Sequence, residues 1–267
     1  MRTEFERVHV TKHGDTALLV FSHPEVMNAL SAPMIGGALE ALDFVAWPDN
    51  GFRALAITGE GRGFCSGANL AEGLVEGATN IPASIAARLD KLYHPLLRKL
   101  RDLPMPIVAA VNGPAVGIGM SLALMGDIVA AAHSAFFQQA FAHIGLIPDG
   151  GSTWLLPRLI GLARARELSL LAEKLPAEKA LEWGLINRVF PDDALLGEAI
   201  KLAQTLAQGP TVALAAMRRL YWASPHNTYE QQLALERQCQ TEVGATQDFI
   251  EGVGAFLQKR PPGFKGE

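Results

Sequence analysis

Through the first two thirds of the chain, short apolar runs alternate with glycine turns and amphipathic stretches. Val8 and Val10, then Ala17, Leu19 and Phe21, alternate with polar residues about His13-Gly14-Asp15, which predicts a β-hairpin opening the fold as an antiparallel edge. Ser31 is placed to cap a helix in which Ile35, Leu39, Leu42 and Ala46 share one stripe. Residues 53–58 read as a buried strand, as do 107–111, bounded by Pro104, Pro106 and Asn112-Gly113-Pro114. Between them Leu89, Leu92, Leu96, Leu100 and Leu103 keep helical spacing, and Pro95 predicts a kink or a break near Tyr93-His94. A small-residue helix over 120–125 and strands over 127–132 and 135–137 continue the alternation, so a βα repeat is expected.

Beyond Gly151 the pattern turns helical. Pro157 and Pro176 look like first-turn prolines, Gly184 and Gly209 like helix stops, and only 186–190 looks extended. Helices are predicted over 193–208, 211–223, 229–243 and 247–259. This gives an α/β core over 1–192 and a helical region over 193–267, a lid or an oligomer interface.

Composition narrows the classes. With 267 residues, 49% hydrophobic and 19% charged, the chain is expected to bury a sizeable core. A formal net charge of -4 argues against a nucleic-acid partner. Two cysteines, Cys65 and Cys239, make neither a disulfide framework nor a metal set. No apolar leader core occupies residues 1–7 and no apolar run is long enough for a membrane span, so a cytoplasmic protein is expected.

The candidate chemistry sits in three glycine-rich stretches. Residues 59–70 hold four glycines in nine positions, which calls for positive φ or close approach of a ligand to backbone. Gly113, Gly117 and Gly119 follow the strand over 107–111, and a helix start there leaves backbone N–H groups without intrahelical partners. Two N–H groups from separate turns are the construction of an oxyanion hole. Asp149 lies between Pro148 and Gly150-Gly151 and is the leading catalytic candidate, its alternative being a helix cap beside Ser152.

Other motifs fail. Leu122 stands where a dinucleotide fingerprint needs its third glycine, no Walker pattern occurs, and Ser66 lacks the preceding glycine of a nucleophile elbow. The seven histidines are not spaced as zinc ligands, so no metal is expected.

Residues 63–70 (Gly-Phe-Cys-Ser-Gly-Ala-Asn-Leu), 109–119 and 145–151, with Asn28-Ala29-Leu30 ahead of them, resemble the crotonase (enoyl-CoA hydratase/isomerase) superfamily over nearly the whole chain. Around Asp149 the pattern is similar to the phenylacetate-pathway epoxyphenylacetyl-CoA isomerase and enoyl-CoA isomerase group. The resemblance implies a spiral of ββα units, a C-terminal helical region that builds a homotrimer or hexamer, and an acyl-CoA substrate whose coenzyme A serves in place of any cofactor. It implies oxyanion donors at the N–H groups of Ala68 and Ile118. Arg62, Phe64, Ser66, Gly67, Leu70, Gly117, Ser121 and Phe141 would meet the substrate, while Phe256 and Lys259 would reach a neighbour's coenzyme A site. The family's hydratases hold a water between two glutamates, and Ser121 and Phe141 stand at the matching positions. Asp149 matches the single acid of relatives that move a double bond or rearrange a ring epoxide. Hydration or hydrolysis on the same scaffold, or an acyl-CoA-binding trimer without chemistry, are the alternatives.

Overall fold

Apolar runs without alternation become strands covered on both faces, because such strands have no solvent side to keep polar. The computed structural model describes residues 2–70 and 80–267. Strands β1 (Arg2–Phe5), β2 (Val8–His13) and β3 (Thr16–Phe21) lead through α1 (Ala32–Ala46) to β4 (Ala54–Gly59). Helices α2 (Ile81–Arg88) and α3 (His94–Asp102) precede β5 (Ile107–Val111), β6 (Ala115–Val116), α4 (Ile118–Ala123), β7 (Ile128–Ala132) and β8 (Phe136–Gln138). Then come α5 (Ser152–Ile160), α6 (Leu162–Leu171), β9 (Lys174–Pro176), α7 (Ala177–Glu182) and β10 (Arg188–Phe190). Four helices follow: α8 (Leu195–Ala207), α9 (Thr211–Ala223), α10 (Tyr229–Val243) and α11 (Gln247–Gln258).

One sheet has the order β1-β2-β3-β4-β5-β7-β10, antiparallel through β3 and parallel from β3 onward. A smaller sheet has the order β6-β8-β9. The chain steps from the large sheet to the small one at β5 to β6 and again at β7 to β8, then returns at β9 to β10. Repeated stepping of this kind is the spiral of ββα units. A parallel bridge Cys65↔Ala115 ties the loop after β4 to the small sheet, and a second, Leu30↔Ala68, ties it to the segment before α1.

Several local expectations hold for physical reasons visible here. The Ser31 side chain accepts from the Met34 N–H and caps α1. Pro95 sits in the first turn of α3, and a π turn over Leu89–Tyr93 separates that helix from α2. Others need correction. The sheet edge is β1, not the hairpin, since β1 pairs with β2. Lys174–Pro176 is a strand missed in the helical half; Pro176 ends it and is the N-cap of α7. Pro157 lies inside α5, because the helix already starts at Ser152 directly after the glycine pair. Past the boundary expected at 192/193, α8 buries Leu195, Ala199, Ala203 and Ala207 in the core.

Helix α9 is bound to that core by one cation. The Arg218 side chain, 5% exposed, pairs with Asp127 at 2.6 Å and donates to the carbonyls of Leu100, at 3.0 Å, and Leu103. It thereby satisfies orphan carbonyls at the C-terminus of α3. Asp127 also accepts the Ile107 N–H at 2.7 Å. Burial pushes the Asp127 carboxyl up and Arg218 pulls it back. Removing the cation strips a half-buried carboxylate of its counter-charge, leaving it only the Ile107 N–H, and takes a donor from two carbonyls, so Arg218→Met is expected to lower stability by about 3–5 kcal/mol. Denaturant unfolding of the two proteins measures it.

Candidate active site

Two asparagines shape the loop after β4. Asn28, at φ 55°, donates from Nδ2 to the carbonyls of Glu60 (2.9 Å) and Gly63 (2.8 Å) and accepts the His23 N–H at 2.9 Å. Asn112, just past β5, accepts the Gly59 N–H at 3.2 Å and donates to the Gly61 carbonyl at 2.9 Å. The loop is further sewn to the next turn: Phe64 and Cys65 N–H both reach the Pro114 carbonyl, and Val116 N–H reaches Cys65 at 3.0 Å. Two glycines of that turn meet the loop backbone: a Cβ at Gly113 would sit 2.2 Å from the Arg62 carbonyl oxygen, and one at Gly119 would sit 2.3 Å from the Cys65 carbonyl oxygen.

Each of the two turns ends on a glycine with a backbone that other residues rarely adopt, Gly67 at φ 103° and Gly117 at φ 55°, ψ −126°. The next residues are Ala68 and Ile118. Neither N–H has a hydrogen-bond partner among the described residues. Both residues line one cavity of about 210 Å³. Backbone N–H groups left unpaired beside a cavity are ready to bind an oxygen with developing negative charge.

Asp149 lines the same cavity. Its Oδ1 is buried with no hydrogen-bond partner among the described residues, and burial pushes the carboxyl up to about 6. Its backbone, by contrast, is anchored. The Asp149 carbonyl accepts from Ser152 N–H at 3.1 Å and from Ser121 Oγ at 3.2 Å. Ser121 Oγ also meets Ser152 Oγ at 2.7 Å, and Gln139 Nε2 donates to Ser152 Oγ at 3.2 Å. The helix-cap alternative fails, because the N-cap of α5 is Gly151 and no side chain caps it.

Ser66, Gly67, Ala68, Leu70, Gly117, Ile118, Phe141 and Asp149 therefore come together around one space. Phe64 does not: it is 0% exposed and packs edge-on against Phe21 in the core. Ser121 is also sealed in, spent on Asp149 and Ser152 behind the cavity wall. Arg62 is exposed and outside the cavity. Phe256, on α11, and Lys259, just after it, are exposed and do not line this chain's own cavity. Sequence reasoning passed over Arg88 and Tyr93, which do line it. The signal was present in the helix break that Pro95 imposes beside Tyr93.

The model of the enoyl-CoA hydratase/isomerase family matches residues 12–267, and the chain belongs to that family. It is 45% identical to a probable enoyl-CoA hydratase of Rhodobacter capsulatus, with 94% of each chain covered. It is 44% identical to the 1,2-epoxyphenylacetyl-CoA isomerase of Escherichia coli, with 99% of each covered. Among solved structures, a putative enoyl-CoA hydratase/isomerase of Mycobacterium abscessus superposes with a TM-score of 0.90 at 35% identity, covering 97% of this chain and 100% of that one. The fold is the crotonase fold, and the chain is an enzyme of this family.

The contact at Gly119 is testable against a glycine that has room. Gly119→Ala must displace backbone and is expected to cost about 1–3 kcal/mol. Gly36→Ala, in α1 with nothing within 4 Å of the added methyl, is expected to gain about 0.5–1 kcal/mol. Thermal unfolding of both variants reads the opposite signs.

Proposed function

We propose that the enzyme is an acyl-CoA isomerase, shifting a double bond or rearranging a ring epoxide on a coenzyme A thioester. The observation that carries this reading is Asp149: a half-buried carboxylate with Oδ1 unspent, lining the same cavity as the residues of two unspent N–H groups. In the proposed step Asp149 takes a proton from carbon, the C–H electron pair moves toward the thioester oxygen, and Ala68 and Ile118 N–H bind the resulting enolate oxygen. Asp149 then returns the same proton to a different carbon. One acid serves both transfers, so no cofactor is required beyond the thioester. A carboxyl value near 6 suits both, since the group is neither a strong acid nor a strong base at neutral pH.

The pattern around Ser121 and Phe141 supports isomerisation over hydration, because neither residue supplies a carboxylate to activate water. Hydration is the second reading, favoured by the name of the Rhodobacter capsulatus relative. Turnover of 3-enoyl-CoA, 2-enoyl-CoA and ring-epoxide thioesters separates the two. The Escherichia coli relative's name supports phenylacetate catabolism as the setting. Assembly as a cytoplasmic trimer or hexamer, with Phe256 and Lys259 beside a neighbour's coenzyme A site and Arg62 near its phosphates, belongs to the same reading. Among the described residues no helix is long and apolar enough to cross a membrane.

Asp149→Asn is expected to lower kcat by about 10²–10⁴-fold with little change in thioester affinity, since the amide keeps size but cannot carry the proton. In the wild type, kcat should rise with pH through about 6, as the base ionises, and then level off. A steady-state pH profile of both proteins decides it.

Stability should move the other way. The folded carboxyl keeps its proton up to about 6 and the unfolded one only to about 3.8, so this group's contribution to stability falls as pH rises between those values. Asp149→Asn is therefore expected to raise the Tm more at pH 8 than at pH 4, measured by calorimetry.

A further inference from the structure

The π turn ahead of Pro95 has so far served no function. The chain passes from α2 through the π turn Leu89–Tyr93 into α3, and Ile85, Arg88, Leu89 and Tyr93 all border the cavity. Tyr93 is 4% exposed. Its hydroxyl oxygen accepts from Arg88 Nη2 at 3.5 Å, and its own proton has no acceptor among the described residues. Burial pushes the phenol up, Arg88 pulls it down, and the nearby Asp149 charge adds to the rise, so the group stays neutral and keeps its proton. Ser66, another hydroxyl on the cavity, is already spent on the Val26 carbonyl at 2.9 Å. Most of the wall around Tyr93 is apolar: Ile85, Leu89, Val116, Phe141, Ile144 and Leu146.

A buried donor without an acceptor is costly, and a hydrocarbon acyl group in this space leaves it so. An acyl group with an oxygen beside its reacting carbons satisfies it. We infer that Tyr93 is a specificity-determining donor, and that the enzyme prefers thioesters whose acyl group carries an epoxide, hydroxyl or carbonyl oxygen over plain hydrocarbon ones. This rests on the acyl-CoA reading of the cavity but not on the role given to Asp149. The discrimination has a known asymmetry: a site built to hydrogen-bond a substrate oxygen rejects the analogue lacking it more strongly than an apolar pocket rejects an added hydroxyl.

Binding of two thioesters tests it. Phenylacetyl-CoA and 2-hydroxyphenylacetyl-CoA are titrated by calorimetry into wild type and Tyr93→Phe. Wild type is expected to bind the hydroxylated ester more tightly, by up to about 10-fold, the worth of one neutral hydrogen bond. Tyr93→Phe is expected to lose that preference while binding phenylacetyl-CoA at least as tightly as wild type does, since the unsatisfied donor is gone, which also shows that it has folded. No preference in wild type overturns the inference and leaves the acyl-CoA reading standing. A preference that survives in Tyr93→Phe assigns the contact to another group and overturns it too, as does equal weakening of both esters. If neither ester binds wild type, the acyl-CoA reading fails together with it.

Discussion

The site depends on one constraint, the backbone-to-backbone approach of two turns, Gly113 against the Arg62 carbonyl and Gly119 against the Cys65 carbonyl. Strands β4 and β5 are parallel neighbours, so the turns that follow them emerge on the same side of the sheet. Bringing those turns into contact requires a position without a Cβ, because an added methyl would lie 2.3 Å from a backbone oxygen. Once they touch, Asn28 and Asn112 take up Gly59 N–H and the carbonyls of Glu60, Gly61 and Gly63, while Pro114 and Cys65 carbonyls accept the N–H groups of the residues between. Among the described residues, Ala68 N–H and Ile118 N–H are left without partners, and both residues line one cavity.

Elements whose cause is local were legible in the sequence. The cap at Ser31, the break at Pro95 and the four C-terminal helices follow from side chains acting on their own backbone. Strands β1 and β9 were not legible, since three or four residues become a strand only when a partner strand is beside them. Side-chain direction was the other loss. Phe64 and Ser66 lie in the same loop, yet one joins the core and the other borders the cavity, a difference set by bridges to Ala115 and by the turn at Gly67. Ser121 was identified by its position in the motif, but nothing in the sequence says that Ser152 and Gln139 would meet it.

Asp149 divides its polar atoms between two tasks. Its carbonyl is gripped by Ser121 Oγ and Ser152 N–H, and its carboxylate is left without a partner at Oδ1. A structural aspartate at the head of a helix would do the reverse, turning its side chain onto the first N–H groups and gaining about 1 kcal/mol. Here Gly151 takes the N-cap position and offers no side chain, so α5 begins without that stabilisation. The fold accepts the loss at the same place where it also carries an unpaired, desolvated carboxylate.

Two local rules are broken within three residues, and the surrounding structure is rigid enough to hold both. Sequences are locally consistent with their folds except where function requires otherwise. A residue whose backbone is fixed by two hydrogen bonds and whose carboxylate keeps an unspent oxygen beside a cavity is suited to exchanging a proton. Ser121 has a part in this without touching the cavity. Its hydroxyl donates to the Asp149 carbonyl at 3.2 Å and meets Ser152 Oγ at 2.7 Å, so it holds the backbone of the acid from behind the cavity wall.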